Sequence, residues 1–158
     1  MSTDVAARPA STSAKRVFAI VASKFNGRFV QGLVDHATAE LRSLAPASTV
    51  TKYEVPGAFE IPIVVREIAM AKKVDAVLAL GVILKGSTTH AEHLSHSVTN
   101  ALQQIALEYG VPVINAVLGL DNEQQAGERC LEKRINRGIE AAQAAVEVTN
   151  VLASLRAN

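Results

Sequence analysis

Tryptophan is absent from this chain, aromatic residues make up only 4%, and a single cysteine, Cys130, occurs among 158 residues. One cysteine excludes a disulfide framework within the chain and fits a reducing, cytoplasmic setting. No apolar run reaches the roughly 18 residues that a bilayer-spanning helix needs, so no membrane span is expected. An excess of one charge is lacking too: 16 Lys and Arg nearly cancel 15 Asp and Glu, for a formal net charge of +1. That balance argues against an electrostatic nucleic-acid or membrane binder and leaves small molecules or other subunits as partners. Internal repeats and Gly/Pro/Ser-rich linkers are missing after residue 15, so nothing divides the chain into two domains.

What is present is aliphatic. Hydrophobic residues reach 49%, supplied by Ala, Val, Leu and Ile, and the mean hydropathy is +0.19. Without a membrane span, such a composition points to apolar surface covered by neighbouring subunits, although a tightly packed monomer has the same bias. The length suits one domain, in which folding buries roughly 68 to 70% of the surface of the unfolded chain. Residues 1–14 are small, polar and aperiodic, without the apolar stretch of a secretory signal. They are expected to be a disordered or loosely attached tail before a domain of residues 15–158.

From there strands and helices alternate. Arg16 to Ser23 is a short apolar run rich in strand formers, followed by a polar turn and a helix from about Phe29 to Leu44 with Leu33, Ala37 and Leu41 on one stripe. Thr49 to Val55 alternates like a strand near a sheet edge. Pro56-Gly57 breaks it before a helix from about Phe59 to Lys72, with Pro62 tolerated in the first turn. Val74 to Leu80 reads as a third strand ended by Gly81, Thr89 to Tyr109 as a helix capped by Gly110, and Val111 to Leu118 as a fourth strand. Beyond about Asn122 the chain is helical, with Ile135, Ile139, Ala142, Val146, Thr149 and Leu152 on one stripe. This alternation predicts a flavodoxin-like, three-layer α/β/α sandwich with a mainly parallel four-stranded sheet. Ligands in such folds bind beyond the C-terminal strand ends, so the post-strand loops are where chemistry is expected.

The loop Gly81 to His90 carries the strongest local signal. Gly86-Ser87-Thr88-Thr89 just before a helix offers backbone N–H groups, hydroxyls and a dipole end to an anion such as phosphate. A glycine turn with Ser/Thr capping the next helix has the same spacing. The interval from Gly81 to Gly86 and Ser87 superficially matches a nucleotide-binding P-loop, but Lys85 precedes the second glycine and does not follow it. His90, His93 and His96 recur every three residues, fanning over about 120° of a helix. The HExxH pattern is absent, so no metal site is expected, and His93 and His96 read as surface or packing residues. His90, beside the anion loop, is the candidate general acid/base, because imidazole titrates near neutral pH. Glu60 falls in a first helical turn, where it either complements the dipole or accepts hydrogen bonds from ligand hydroxyls. Phe25 sits in a polar post-strand turn, as a core residue or as a ring that stacks on a flat heterocycle. Cys130, helical and beside Arg129, reads as a packing residue.

These residues also carry a resemblance. Ser23-Lys24-Phe25-Asn26, PGAFEIP at Pro56 to Pro62, LGVILKGSTTH at Leu80 to His90, GVPVINAVL at Gly110 to Leu118, EQQAGERC at Glu123 to Cys130 and NRG at Asn136 to Gly138 resemble the 6,7-dimethyl-8-ribityllumazine synthase family from about Lys15 onward. The resemblance implies condensation of 5-amino-6-(D-ribitylamino)uracil with 3,4-dihydroxy-2-butanone 4-phosphate, the penultimate step of riboflavin biosynthesis, with no cofactor and no metal. It places Phe25 on the pyrimidine, Ala58, Phe59 and Glu60 along the ribityl chain, and Val82, Ile83 and Leu84 at the uracil edge. Ser87 and Thr88 would bind the phosphate, Arg129 would reach it from a neighbouring helix, and His90 would transfer protons. Asn115 stands where many members have Phe, Lys85 where Arg is frequent, and Gly119-Leu120-Asp121 replaces a Thr-Thr-Glu stretch. Members form pentamers whose sites are shared between adjacent subunits, and some build shells of sixty chains from twelve pentamers. The short stretch from Arg129 to Arg137, without the insertion of pentamer-only members, implies the shell. The alternatives are a flavodoxin-like module that binds flavin or nucleotide without turnover, and a non-catalytic shell protein.

Overall fold

The computed structural model describes residues 2–158 of the chain. Val17–Ser23 forms β1, and its period-two alternation sends Phe18, Ile20 and Ala22 to one face of a sheet and Ala19 and Val21 to the other. A strand apolar on both sides belongs in the middle of a parallel sheet with helices on each face. The sequence then runs through α1 (Gly27–Leu44), β2 (Thr49–Val55), a short 3-10 turn (Ala58–Glu60), α2 (Ile61–Ala71) and β3 (Ala76–Leu84). It finishes with α3 (His90–Tyr109), β4 (Val113–Leu120), α4 (Glu123–Cys130) and α5 (Arg137–Arg156). The four strands are all parallel in the order β2-β1-β3-β4. The architecture is therefore the three-layer α/β/α sandwich that the alternation predicts.

Each face has its own core. On one side α1, α4 and α5 cover Phe18, Ile20, Leu78, Leu80, Leu118 and Leu120 with Leu33, Ala37, Leu41, Ala126, Ala142 and Val146. On the other, α2 and α3 cover Ala19, Val21, Val77 and Ala79 with Ile61, Val65, Val98 and Leu102. Burying one such Leu or Ile fully contributes roughly 1.5 to 3 kcal/mol, so these layers dominate stability. Helix ends follow local chemistry: Asn122 caps α4 by accepting from Gln125 N, and Asn136 caps α5 by accepting from Gly138 N and Ile139 N. Gly110 ends α3 in the left-handed region at φ 67°.

Several boundaries differ from the sequence expectation. β3 does not stop at Gly81 but continues to Leu84, and β4 runs to Leu120 through a stretch expected to be loop. Both glycines mark close approach inside a strand. A Cβ at Gly81 would lie 3.0 Å from Ser23 Oγ, and one at Gly119 would lie 2.9 Å from Ser95 Oγ on α3. On α5 the buried stripe is Ala141, Ala142, Ala145, Val146 and Thr149, while Ile139 and Leu152 are half-buried and Ile135 precedes the helix. Small residues there let α5 lie close against α1. Residues 2–16 form no helix or strand. They run over the start of α5 and then along α1: Arg137, which opens α5, donates to the Ser2 carbonyl, the Arg8 guanidinium pairs with Glu40 (2.7 Å), and Thr12 N donates to Leu44 O (2.7 Å).

Candidate active site

In the order β2-β1-β3-β4, the chain leaves β1 toward one sheet edge and β3 toward the other, which opens a crevice at the C-terminal ends of those two strands. A hollow of about 300 Å³ occupies it. Phe25 and Asn26 enter from the turn between β1 and α1, Gly57, Ala58, Phe59 and Glu60 from the 3-10 turn after β2, Val82, Ile83 and Leu84 from the overhanging end of β3, and His90 and Leu94 from the first turns of α3.

Phe25 is 71% exposed and Phe59 is 68% exposed. An apolar ring left in water at a strand mouth offers a flat ligand a surface whose burial is favourable. The Phe25 ring lies over Gly57, where any Cβ would come within 3.4 Å of it and 3.3 Å of Glu60 Oε1. The backbone beneath the ring is held by Phe25 N donating to Pro56 O (3.2 Å) and Lys24 N donating to Val55 O (2.9 Å). Glu60 Oε1 accepts from Gly57 N at 3.0 Å, which fixes the carboxylate beside the ring. Its Oε2 makes no hydrogen bond within the chain among the described residues, so it remains an acceptor for a ligand hydroxyl. His90 opens α3 with an exposed side chain, its backbone N donating to Thr88 Oγ1 at 3.4 Å.

Eight of the residues singled out in the sequence thus surround one hollow: Phe25, Ala58, Phe59, Glu60, Val82, Ile83, Leu84 and His90. The other four stand elsewhere in a single chain. Ser87 and Thr88 are exposed in the bend before α3. Arg129 is buried on α4, in the layer on the far side of the sheet, with a long 3.5 Å contact to Glu128 and no partner for its Nε. Asn115 lies on β4, where its amide donates to Thr99 Oγ1 (3.3 Å) and accepts from Val117 N (3.0 Å). It borders a second hollow of about 440 Å³ shared with Arg137 and Glu140.

One ion pair stands just beyond the end of β3. Lys85 Nζ meets Asp121 Oδ1 at 2.8 Å, and this contact, helped by Gln125, holds the Asp121 carboxyl below the usual carboxylate range. Burial pushes the Cys130 thiol up to about 12, with the Arg129 charge opposing the shift. Such a thiol is not a nucleophile near neutral pH. Among the described residues no three His, Cys, Asp or Glu side chains converge as metal ligands, and no helix is long and apolar enough to cross a membrane. Asn26, Gly57 and Leu94 also line the hollow; the first two belong to the quoted motifs but carry no individual role there, and Leu94 was not singled out. Leu94 had a usable signal, since it lies one helical turn beyond His90 on the same face.

Comparison with known proteins finds a matching family. The sequence model described as 6,7-dimethyl-8-ribityllumazine synthase matches residues 15–153. A protein of that name from Chlorobium limicola is 41% identical over 143 residues, covering 89% of this chain and 92% of its own length. Another from Chloroherpeton thalassium is 40% identical over 138 residues, covering 85% and 87%.

Proposed function

The chain belongs to the 6,7-dimethyl-8-ribityllumazine synthase family, a family of transferases, and we propose that it condenses 5-amino-6-(D-ribitylamino)uracil with 3,4-dihydroxy-2-butanone 4-phosphate. In the chemistry so proposed, the 5-amino group attacks the ketone and expels a first water as the imine forms. Loss of a proton next to the imine carbon drives out inorganic phosphate. The enol left behind takes a proton at its terminal carbon and becomes a methyl ketone, and the ribityl-bearing nitrogen then closes the second ring on that new carbonyl, with loss of a second water. No step calls for a covalent protein nucleophile. Each needs two partners held in reach and protons moved, and proximity alone can supply roughly 7 to 11 kcal/mol of the barrier.

The observation that carries this reading is the convergence, on one hollow at the sheet switch point, of an exposed ring, a fixed carboxylate, an overhanging strand end and a histidine. Phe25 stacks on the pyrimidine, the backbone of Val82, Ile83 and Leu84 reads its polar edge, and Glu60 accepts ribityl hydroxyls beside Ala58 and Phe59. His90 moves the protons. Ser87, Thr88 and Arg129 hold the phosphate, and Asn115 forms a wall of the pyrimidine pocket. Because Arg129 and Asn115 stand away from the hollow of their own chain, the reading makes them contributions from an adjacent copy in a pentamer. The connection between α4 and α5 is short, from Leu131 to Asn136, which favours twelve such pentamers closing into a shell of sixty. A cytoplasmic location accords with the single buried cysteine.

Mixing the purified protein with both substrates and following lumazine fluorescence tests the proposal. A rate well above the uncatalysed condensation is expected. No acceleration would sink it, and flavin or nucleotide binding in its place would favour a binding module.

A further inference from the structure

Asn26 stands at the N-cap position of α1, yet its side chain makes no capping bond. Its backbone is left-handed, at φ 55° and ψ 42°, a conformation that non-glycine residues adopt infrequently and that Asn tolerates best among them. The amide reaches across the crevice, and Nδ2 donates to Val82 O at 2.7 Å. A residue that forgoes the ordinary use of its position for a contact 56 residues away calls for a physical account.

The sheet supplies one. β1 ends at Ser23, and its last pairing with β3 is Ala22 to Leu80, whereas β3 continues to Leu84. Backbone polar groups alternate sides along a strand. Val77 N and Lys85 N both donate toward β4, so the even-numbered Val82 and Leu84 face the side where β1 has already stopped. Val82 is only 3% exposed, and without a partner its carbonyl would be a buried orphan. The Asn26 amide takes the place of the missing strand.

We propose that Asn26 is a positioning residue, which ties the overhanging end of β3 to the turn that carries Phe25 and so fixes the distance between two walls of the hollow. The turn is then held from both flanks: by Pro56 O on the β2 side, through Phe25 N, and by Val82 O on the β3 side, through Asn26. The exposed ring of Phe25 accordingly rests on a rigid base, and the ligand need not order it on binding. This inference rests on the substrate reading given above, in which the ring and the strand edge hold the same pyrimidine.

Two variants test it. Asn26→Gly keeps the left-handed backbone and removes the amide. Asn26→Asp keeps shape and backbone preference but, when ionised, presents a carboxylate to the Val82 carbonyl in place of a donor. Both are expected to raise KM for the aminouracil substrate by roughly tenfold, the size of a lost hydrogen bond to a buried carbonyl, with KM for the butanone phosphate within about twofold of wild type. Relative to wild type at each pH, the Asn26→Asp defect should shrink between pH 8 and pH 5, as the introduced carboxyl regains a proton and with it an O–H donor, while the Asn26→Gly defect stays constant. A general loss of folding would produce neither the split between substrates nor the pH-dependent recovery. Equal KM values, or parallel pH profiles of the two variants, would overturn the proposal. A second measurement does not depend on turnover: hydrogen exchange of the backbone at residues 82–85 should speed up about tenfold or more in Asn26→Gly. Unchanged exchange would overturn the clamp while leaving the enzyme reading intact. Wild-type protein without synthase activity would overturn the enzyme reading while leaving exchange to decide the clamp.

Discussion

Adding one methyl group to a helix usually stabilises it, and in this chain the sign should depend on which glycine receives it. Gly32 lies in the middle of α1, where it faces the end of α4. A Cβ there would sit 2.5 Å from the Cys130 carbonyl oxygen and 2.6 Å from Leu131 Cδ2, whereas ordinary contact begins near 3.4 Å. The Leu131 side chain can turn away, but a backbone carbonyl cannot, so α1 and α4 must separate by about 0.9 Å at this point. The same end of α4 is held to α1 by His36 Nε2 and the Leu131 carbonyl at 3.0 Å, a contact that the separation would stretch. Overpacking of this kind costs roughly 1 to 3 kcal/mol, and the weakened hydrogen bond about 1 more. Against that, Gly→Ala in a helix interior gains about 1 kcal/mol. The net for Gly32→Ala is a loss of about 1 to 3 kcal/mol, which at this chain length lowers Tm by roughly 2 to 12 °C. Gly127, inside α4, is the control, because a Cβ there meets nothing within 4 Å. Gly127→Ala should raise Tm by about 2 to 4 °C. Thermal unfolding followed by circular dichroism, at one fixed protein concentration, measures both. A Gly32→Ala protein as stable as wild type would refute the claim that rigid backbone contact sets the spacing of α1 and α4.

Other outcomes follow from the site. Phe25→Ala should leave Tm within about 1 °C, since the ring is 71% exposed, and should raise KM for the aminouracil about tenfold, stacking of a ring on a base being worth about 1 to 3 kcal/mol. Arg129→Ala should weaken chiefly the butanone phosphate through loss of a charge-assisted contact, whereas His90→Ala should lower kcat by about tenfold, at the low end for general acid/base residues; steady-state kinetics with each substrate varied separates the two. Cys130 should resist thiol reagents at pH 8 in the native protein and react at once after denaturation. Its pKa is raised from 9.0 to about 12 by folding, so its contribution is fully present below pH 9 and is lost as the pH rises toward 12, where unfolded thiols ionise first; a pH series of urea midpoints would show that decline.

Most of the fold was legible because its signals are local and repeated. The apolar run Val17 to Ser23, the stripe Leu33, Ala37 and Leu41, and the capping glycine Gly110 each specify an element through its own neighbours in sequence. What went astray were the two strand ends, since a glycine in a strand looks the same in sequence whether it stops the strand or admits a neighbour. Gly81 admits Ser23 from β1 and Gly119 admits Ser95 from α3, and both partners are distant in sequence. The site divides in the same way. Phe25, Glu60 and His90 stood out as residue types unusual for plain turns. Asn26 did not, because its significance lies in a bond to Val82 across the crevice, and a Phe-Asn turn contains no sign of it.

Arg129 and Asn115 make assembly the sharpest remaining question. The sheet itself stands between α4 and the hollow, so the Arg129 guanidinium and the Phe25 ring of one chain lie in different layers. Asn115 lies on the β4 flank of α3, engaged with Thr99, whereas His90 and Leu94 face the hollow from its α2 flank. In the proposed reading, a phosphate held near Ser87 and Thr88 beside that ring takes its arginine from another copy. Meanwhile Ile63, Leu107 and Phe59 are 58%, 74% and 68% exposed on α2, α3 and the 3-10 turn, apolar surface that a lone chain of this size leaves in water at a penalty. If the site is shared, activity and assembly must fall together. Light scattering on the eluting protein should give about 1,000 kDa for sixty chains of 16.7 kDa, and dilution or mild urea that separates the pentamers into single chains should abolish lumazine formation at the same midpoint. A mass near 84 kDa with full activity would remove the shell and keep the shared site. Full activity at 16.7 kDa would remove both, and Arg129 would then have to reach the phosphate within its own chain, around the edge of the sheet.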